Sequence, residues 1–248
     1  MASRTSSYRA AGRAVPQAAA RALLPAVILG YVVPTVAMYA VPSDGDGGDL
    51  TQWIIAAWQP APIYVNAILV LATFSLFPSG PTPSTSSGGG SAAADVDIPA
   101  LKRLYGVLAL LAAATHAYTL YAILGPQSGA LGRDGEASAL DILAAVFVPS
   151  GERRFASAYQ AVHYVFQWDV WGIYGSGLLW CLIELHDLRR LLPSGPGLLL
   201  PGLVPTTLLL AAGSAAIGPA AVMAVFWLWR EDKLALVERR LGAHAKVA

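Results

Sequence analysis

Five stretches of this chain stay apolar for about 20 residues each, the length an α-helix needs to cross a hydrocarbon core of roughly 30 Å. They cover residues 22–41, 53–77, 101–124, 161–185 and 204–229. No water reaches such a core to satisfy backbone amides, so each stretch must close its own hydrogen bonds as a helix. The charge content agrees, because only 12% of the 248 residues are charged, against about 25% in a soluble domain. The expected fold is therefore all-α, a polytopic membrane helical bundle of about five transmembrane helices in one domain.

The last apolar run begins near Leu198 and is longer than one span but too short for two. Pro201 and Pro205 suit a helix start there, and Gly218-Pro219 suits an internal kink. Residues 1–21 form a tail that holds Arg4, Arg9, Arg13 and Arg21 and no acid. The run after it is too long for a signal-peptide core, so it is expected to remain as a helix of the mature protein. Residues 22–230 make up the bundle, interrupted over 78–99 by a flexible linker rich in Pro, Gly and Ser. Residues 231–248 form a tail in which Leu234, Val237 and Leu241 recur among charges at helical spacing, the pattern of an amphipathic interfacial helix. The apolar segment from Asp141 to Val148 is too short to span and predicts a short helix on the membrane surface or against the bundle. The tail arginines and the acidic loop of Asp44, Asp46 and Asp49 favour a cytoplasmic N-terminus. Five spans then carry Arg230, Lys233, Arg239, Arg240 and Lys246 to the far side, so the two charge signals conflict.

Several classes of chemistry are disfavoured. The single cysteine, Cys181, supports neither a disulfide framework nor a thiolate metal cluster within one chain. A net charge of +1 offers no basic patch for nucleic acid. His116, His163, Asp169 and Glu184 lack the paired spacing of a metal site, and in Glu184-Leu-His186-Asp187 adjacent helical residues diverge, so no metal is expected. Gly88-Gly-Gly90 has no strand or helix around it to cradle phosphate. The cluster Asp44-Gly-Asp-Gly-Gly-Asp49 lacks the helical frame that Mg²⁺-diphosphate chemistry needs.

One carboxylate, Asp169, falls inside the fourth apolar stretch. An ion at that depth is costly, so Asp169 is expected to face the interior of the bundle and to have a task. Polar residues recur in the other stretches too. Gln59, Asn66 and Thr73 lie seven apart, within about 40° of one helical line. His116 and Thr119 mark the third stretch, Tyr31 and Thr35 the first. The plain alternative is that such groups hydrogen-bond across helices and hold the bundle together, at about 0.6 kcal/mol each. Aromatic residues crowd the same places, with Trp168, Trp171, Tyr174 and Trp180 around Asp169 and Trp58 beside Gln59. Tryptophan and tyrosine belong to interfacial belts, which suits Trp53, Trp227 and Trp229 better than Trp168 and Trp171. Indole faces close to a proton donor suit a carbocation. A polar and aromatic cavity between the second, third and fourth helices is expected, with Trp58, Asn66, His116, Trp168, Trp171, Tyr174 and Trp180 as candidate substrate contacts.

Gly30-Tyr-Val-Val-Pro34, Trp58-Gln59-Pro60-Ala-Pro62, Gln167-Trp-Asp169, Gly175-Ser-Gly-Leu-Leu-Trp180, Ile217-Gly-Pro219 and Trp229-Arg-Glu231 together resemble integral-membrane proteins of fungal secondary-metabolite clusters. Among these, the chain resembles the membrane terpene cyclases of meroterpenoid biosynthesis, the ascofuranone type in particular, over roughly Gly30 to Glu231. Such cyclases commonly have more spans than five. The resemblance implies a cofactor-free, multi-pass enzyme of the endoplasmic reticulum that protonates the terminal epoxide or alkene of a prenyl chain. Asp169 would be the acid, with Glu231 or Gln59 as orienting or assisting groups. Its partners would be a lipophilic small molecule and the bilayer, with no nucleic acid. A transporter or binding protein for a small lipophilic metabolite is the alternative, although no inverted repeat is visible.

Overall fold

The computed structural model describes residues 15–40, 48–75, 97–125, 138–149, 151, 156–191 and 202–245. Among them the chain folds into helices and forms no strand. It divides into two compact units, one made of the residues up to Leu104 together with those from Glu231 onward, the other of Tyr105–Arg230.

In the first unit, α1 (Gln17–Val27) passes through a π-helical turn (Ile28–Val32) into α2 (Val33–Ala40). Pro34 accounts for the wide turn, because it has no N–H for the Gly30 carbonyl and its ring would strike that oxygen. The helix takes up one extra residue, and the Val33 N–H reaches the Ile28 carbonyl instead. Ala18, Ala22, Ala26 and Gly30 recur every fourth residue and are all buried. This ridge of small residues lets two backbones approach closely, as membrane helices do. Its partner is α4 (Ala61–Ser75), which follows α3 (Gly48–Trp58). A Cβ on Gly30 would lie 2.7 Å from the Val65 backbone nitrogen. Gly30→Ala is therefore expected to destabilise the protein by about 1–3 kcal/mol through overpacking, read as a lower Tm in detergent; an unchanged Tm would show that the contact is not tight.

The single helix expected over residues 53–77 is two, since α3 and α4 meet at 53°. Pro60 keeps Gln59 out of the helical conformation, and the Pro60 carbonyl accepts from the Ile63 and Tyr64 amides to start α4. The linker also ends earlier than expected. Asp97 is only 3% exposed, and its carboxylate accepts the Val15 N–H at 3.1 Å. Its backbone carbonyl caps the start of α5 (Ile98–Leu124) through the amides of Ala100 and Leu101. The rest of the linker, Arg4, Arg9 and Arg13 of the tail, and Asp44 and Asp46 of the acidic loop lie outside the described residues.

The second unit takes up the chain within α5 at Tyr105. The expected short helix is α6 (Ala139–Phe147), opened by a capping box between Ser138 and Asp141. Next, α7 (Ala158–Leu191) runs for 34 residues, about 51 Å at 1.5 Å per residue, well past the predicted end at residue 185. The expected kink at Gly218 is a full break between α8 (Leu203–Ile217) and α9 (Pro219–Ala245). Gly218 has φ +91°, a conformation that glycine alone adopts cheaply. Cys181, Leu185, Leu210, Val222 and Phe226 form the unit's buried core. Because α9 is continuous to Ala245, the residues after 231 are the end of a long helix and not a separate one. There Leu234 is buried and Lys102 pairs with Asp232 in the first unit. The side chains of Val237, Arg239, Arg240, Leu241 and Lys246 lie outside the described residues.

Gln17–Ala40 and Ile98–Leu124 are long and apolar enough to cross a membrane, and the bent α3–α4 pair is a third if taken as one span. The expectation of about five spans is thus not met by length and composition among the described residues. Gln167, Asp169 and Ser176 dilute the middle of α7, and the break at Gly218 leaves α8 with 15 residues, about 22 Å.

Candidate functional site

Asp169 departs from its expected place. It is exposed and makes no hydrogen bond or ion pair among the described residues. The reason is the rotation of α7, which turns Gln167, Cys181, Leu185 and Leu188 inward on the other side of the helix. On Asp169's own side, Val162, Val165, Phe166, Ile173 and Trp180 are all exposed. A lone carboxylate thus stands in the middle of a long apolar face. Over residues 162–180 the other polar group on that face is Ser176, which donates to the Ile173 carbonyl of its own helix.

The opposite side of α7 has a definite partner. The last carbonyls of an α-helix have no partner within the helix, and at the end of α6 they are taken by three donors four residues apart on α7. His163 Nε2 lies 3.1 Å from the Ala145 carbonyl. Gln167 Nε2 donates to Ala145 and Val146 at 2.9 and 3.1 Å. Trp171 Nε1 donates to the Phe147 carbonyl at 2.7 Å. Trp171, expected near the Asp169 carboxyl, is therefore pinned by its indole N–H to α6. The missed signal was the spacing of His163, Gln167 and Trp171, which makes one line of donors on a helix. Trp168 is exposed and meets Tyr164 edge to face at 6.3 Å. Tyr174 is half-buried and Trp180 exposed.

Elsewhere in this unit, Arg230 Nε and Nη2 both reach Glu184 Oε2 at 2.8 Å. The Arg230 guanidinium lies 4.7 Å from the centre of the Trp227 ring. Glu184 is buried. His116 sits against Gly218, its Nε2 3.2 Å from the Ala215 carbonyl, so it braces the break between α8 and α9.

The remaining candidates belong to the first unit. Glu231 is 7% exposed. Gln59 is exposed in the α3–α4 break, off any helical face, and Asn66 Nδ2 donates to the Pro62 carbonyl of its own helix. The stripe expected of Gln59, Asn66 and Thr73 is thus not a continuous surface. Trp58 is half-buried, its Nε1 donating to Thr35 Oγ1 at 2.9 Å and its ring 6.1 Å from Tyr31. Among the described residues, no three His, Cys, Asp or Glu side chains converge as a metal site.

A family model described as the CtvD domain matches residues 1–236 of the chain. A protein of Penicillium polonicum described as FAD-dependent monooxygenase verC1 is 27% identical over 214 residues, which is 86% of this chain. The chain spans only 23% of that relative's length. No solved structure matches it.

Proposed function

The chain belongs to the CtvD-domain family, and from that premise we propose that it is a multi-pass membrane protein of fungal secondary metabolism. In this reading it resides in the endoplasmic reticulum and cyclises or isomerises a lipophilic prenylated intermediate by acid catalysis. The crossings are α1–α2, α3–α4, α5, α7 and α8–α9, with the broken ones counted as single spans. The observation that carries the reading is Asp169, a carboxyl with no structural bond on an apolar helix face. Placing such a group at membrane depth costs about 2.5–3.5 kcal/mol on insertion scales. No hydrogen bond or ion pair of Asp169 offsets that cost within the described chain, which favours a chemical task.

The reaction needs no co-reactant. A proton from Asp169 adds to the epoxide oxygen and the C–O bond breaks. The π electrons of a neighbouring alkene form the new carbon–carbon bond, and loss of a proton from the last cation balances the first transfer. The exposed rings of Trp168 and Trp180 offer π faces to the cation. The likeness to a FAD-dependent monooxygenase supports an oxygenated substrate, since flavin monooxygenases insert one oxygen atom and epoxides are among the products of such insertion.

The test is incubation of microsomes containing the protein with a prenylated, epoxidised phenol. The expected product is a cyclic isomer of unchanged mass and new retention time. Unchanged substrate with measurable binding would replace the enzyme by a carrier. Trp168→Leu and Trp180→Leu separate the same two readings, because leucine keeps much of the apolar volume and removes the ring quadrupole. The enzyme predicts a shift towards less cyclised products with binding retained; a carrier predicts weaker binding and no new product.

A further inference from the structure

The last four carbonyls of an α-helix lack a partner within it, and where the helix ends in water the solvent supplies one. At the end of α6 the protein supplies all four. Ala144 accepts the Val148 N–H at 2.8 Å. Ala145 and Val146 accept from the Gln167 amide, and Phe147 accepts from the Trp171 indole. His163 Nε2 stands beside the Ala145 oxygen as well. Three side chains of α7 are thus committed to closing one end of a short helix. Along its sides that helix is open. No residue of α6 is buried, Leu140 is exposed, and of the residues in Ala139–Phe147 only Asp141 is polar.

The two ends of α6 suit different surroundings. Its start carries the Asp141 carboxylate, which accepts the Ser138 N–H at 3.1 Å in the capping box; a charge there belongs at water or lipid headgroups. Its end carries no charge and leaves no carbonyl open. Apolar sides together with fully satisfied carbonyls are what hydrocarbon demands of a helix end, because no water is present to serve a bare one. Trp171 follows the same rule, since its ring is exposed while its one polar atom is turned to Phe147. Gln167 and Trp171 lie two residues to either side of Asp169, about 3 Å along the helix axis, so the end of α6 stands at the level of that carboxyl. Nine residues of helix measure about 14 Å, close to the roughly 15 Å of one leaflet's hydrocarbon. We infer that α6 is inserted into one leaflet, its Asp141 end at the headgroups and its Phe147 end among acyl chains, tethered there by Gln167 and Trp171. The partner of its open sides is lipid hydrocarbon. This rests on the reading of α7 as a membrane crossing and not on the chemistry assigned to Asp169.

Depth-resolved quenching of the full chain in phosphatidylcholine vesicles tests the insertion. Single cysteines replace Leu140, Ala144 or Val148, which are all exposed, in a Cys181→Ala background, and carry an NBD label attached in detergent before reconstitution. If that background fails to accumulate, the wild-type chain serves, because Cys181 is fully buried. The Ala144 and Val148 labels are expected to be quenched by lipids bearing a nitroxide in mid-chain and to be insensitive to iodide on both sides of the membrane. The Leu140 label is expected to respond most to a headgroup nitroxide. Quenching of all three by iodide puts α6 on the water side and overturns the inference. Shielding from both iodide and lipid nitroxides makes the cover protein and overturns it equally. Gln167→Leu, which opens the Ala145 and Val146 carbonyls, is expected to make the Val148 label quenchable by iodide; a label that stays in lipid overturns the tether. A label on Ile173, exposed on α7, separates the two readings. Lipid quenching at Ile173 with iodide quenching on α6 leaves the α7 crossing and removes the insertion, whereas iodide quenching at Ile173 removes the crossing too.

Discussion

Asp169→Asn is expected to lower formation of the cyclised isomer by about 10²- to 10⁴-fold, the range contributed by a general acid, while the protein accumulates in membranes and melts as the wild type does. The substitution keeps shape and size but removes the acidic proton. Because Asp169 is exposed and unbonded among the described residues, no structural interaction is lost, and a fall in product reports on chemistry alone. This is an unusually clean arrangement for a candidate acid, since buried carboxyls such as Asp97 and Glu184 hold helices together and their loss confounds folding with function. Turnover within a few-fold of wild type would remove Asp169 from the mechanism.

Arg230→Ala is expected to cost about 3–5 kcal/mol, because it takes from the buried Glu184 carboxylate its ion pair at 2.8 Å. In a chain of this length that corresponds to a Tm lower by on the order of 10 °C. The Arg230 contact with the Trp227 ring is lost as well. Removing both charges has a different outcome. The double variant Arg230→Met with Glu184→Leu removes both charges of this pair, and apolar replacement of a buried pair is often neutral or stabilising, so it should recover most of the loss. A single variant as stable as wild type would show that the pair is not desolvated. A double variant no better than the single would place the cost in packing around Arg230.

The break at Pro60 shows how far sequence pattern reaches. Period-seven spacing placed Gln59, Asn66 and Thr73 on one stripe, but spacing maps to a face only along an unbroken helix. Pro60 ends α3 beside Gln59, so the stripe loses its first member and Asn66 turns to the Pro62 carbonyl. The ridge of Ala18, Ala22, Ala26 and Gly30 was equally legible in spacing, yet alanine faces are common in membrane helices and only contact with α4 gives this one meaning.

Composition by itself determined the helical class and its apolar character, because a chain so poor in charge, with runs this long, must satisfy its backbone internally wherever water is excluded. The prolines and Gly218 marked where helices bend or break, since a missing N–H or a positive φ is a local property of one residue. Only the tertiary structure decided which side of each helix is covered. Helix rotation follows from the sum of many weak contacts across sequence-distant elements, and no single residue encodes it. That sum turned Asp169 outward and drew Glu184 in to Arg230. It also tied Trp171 to the end of α6.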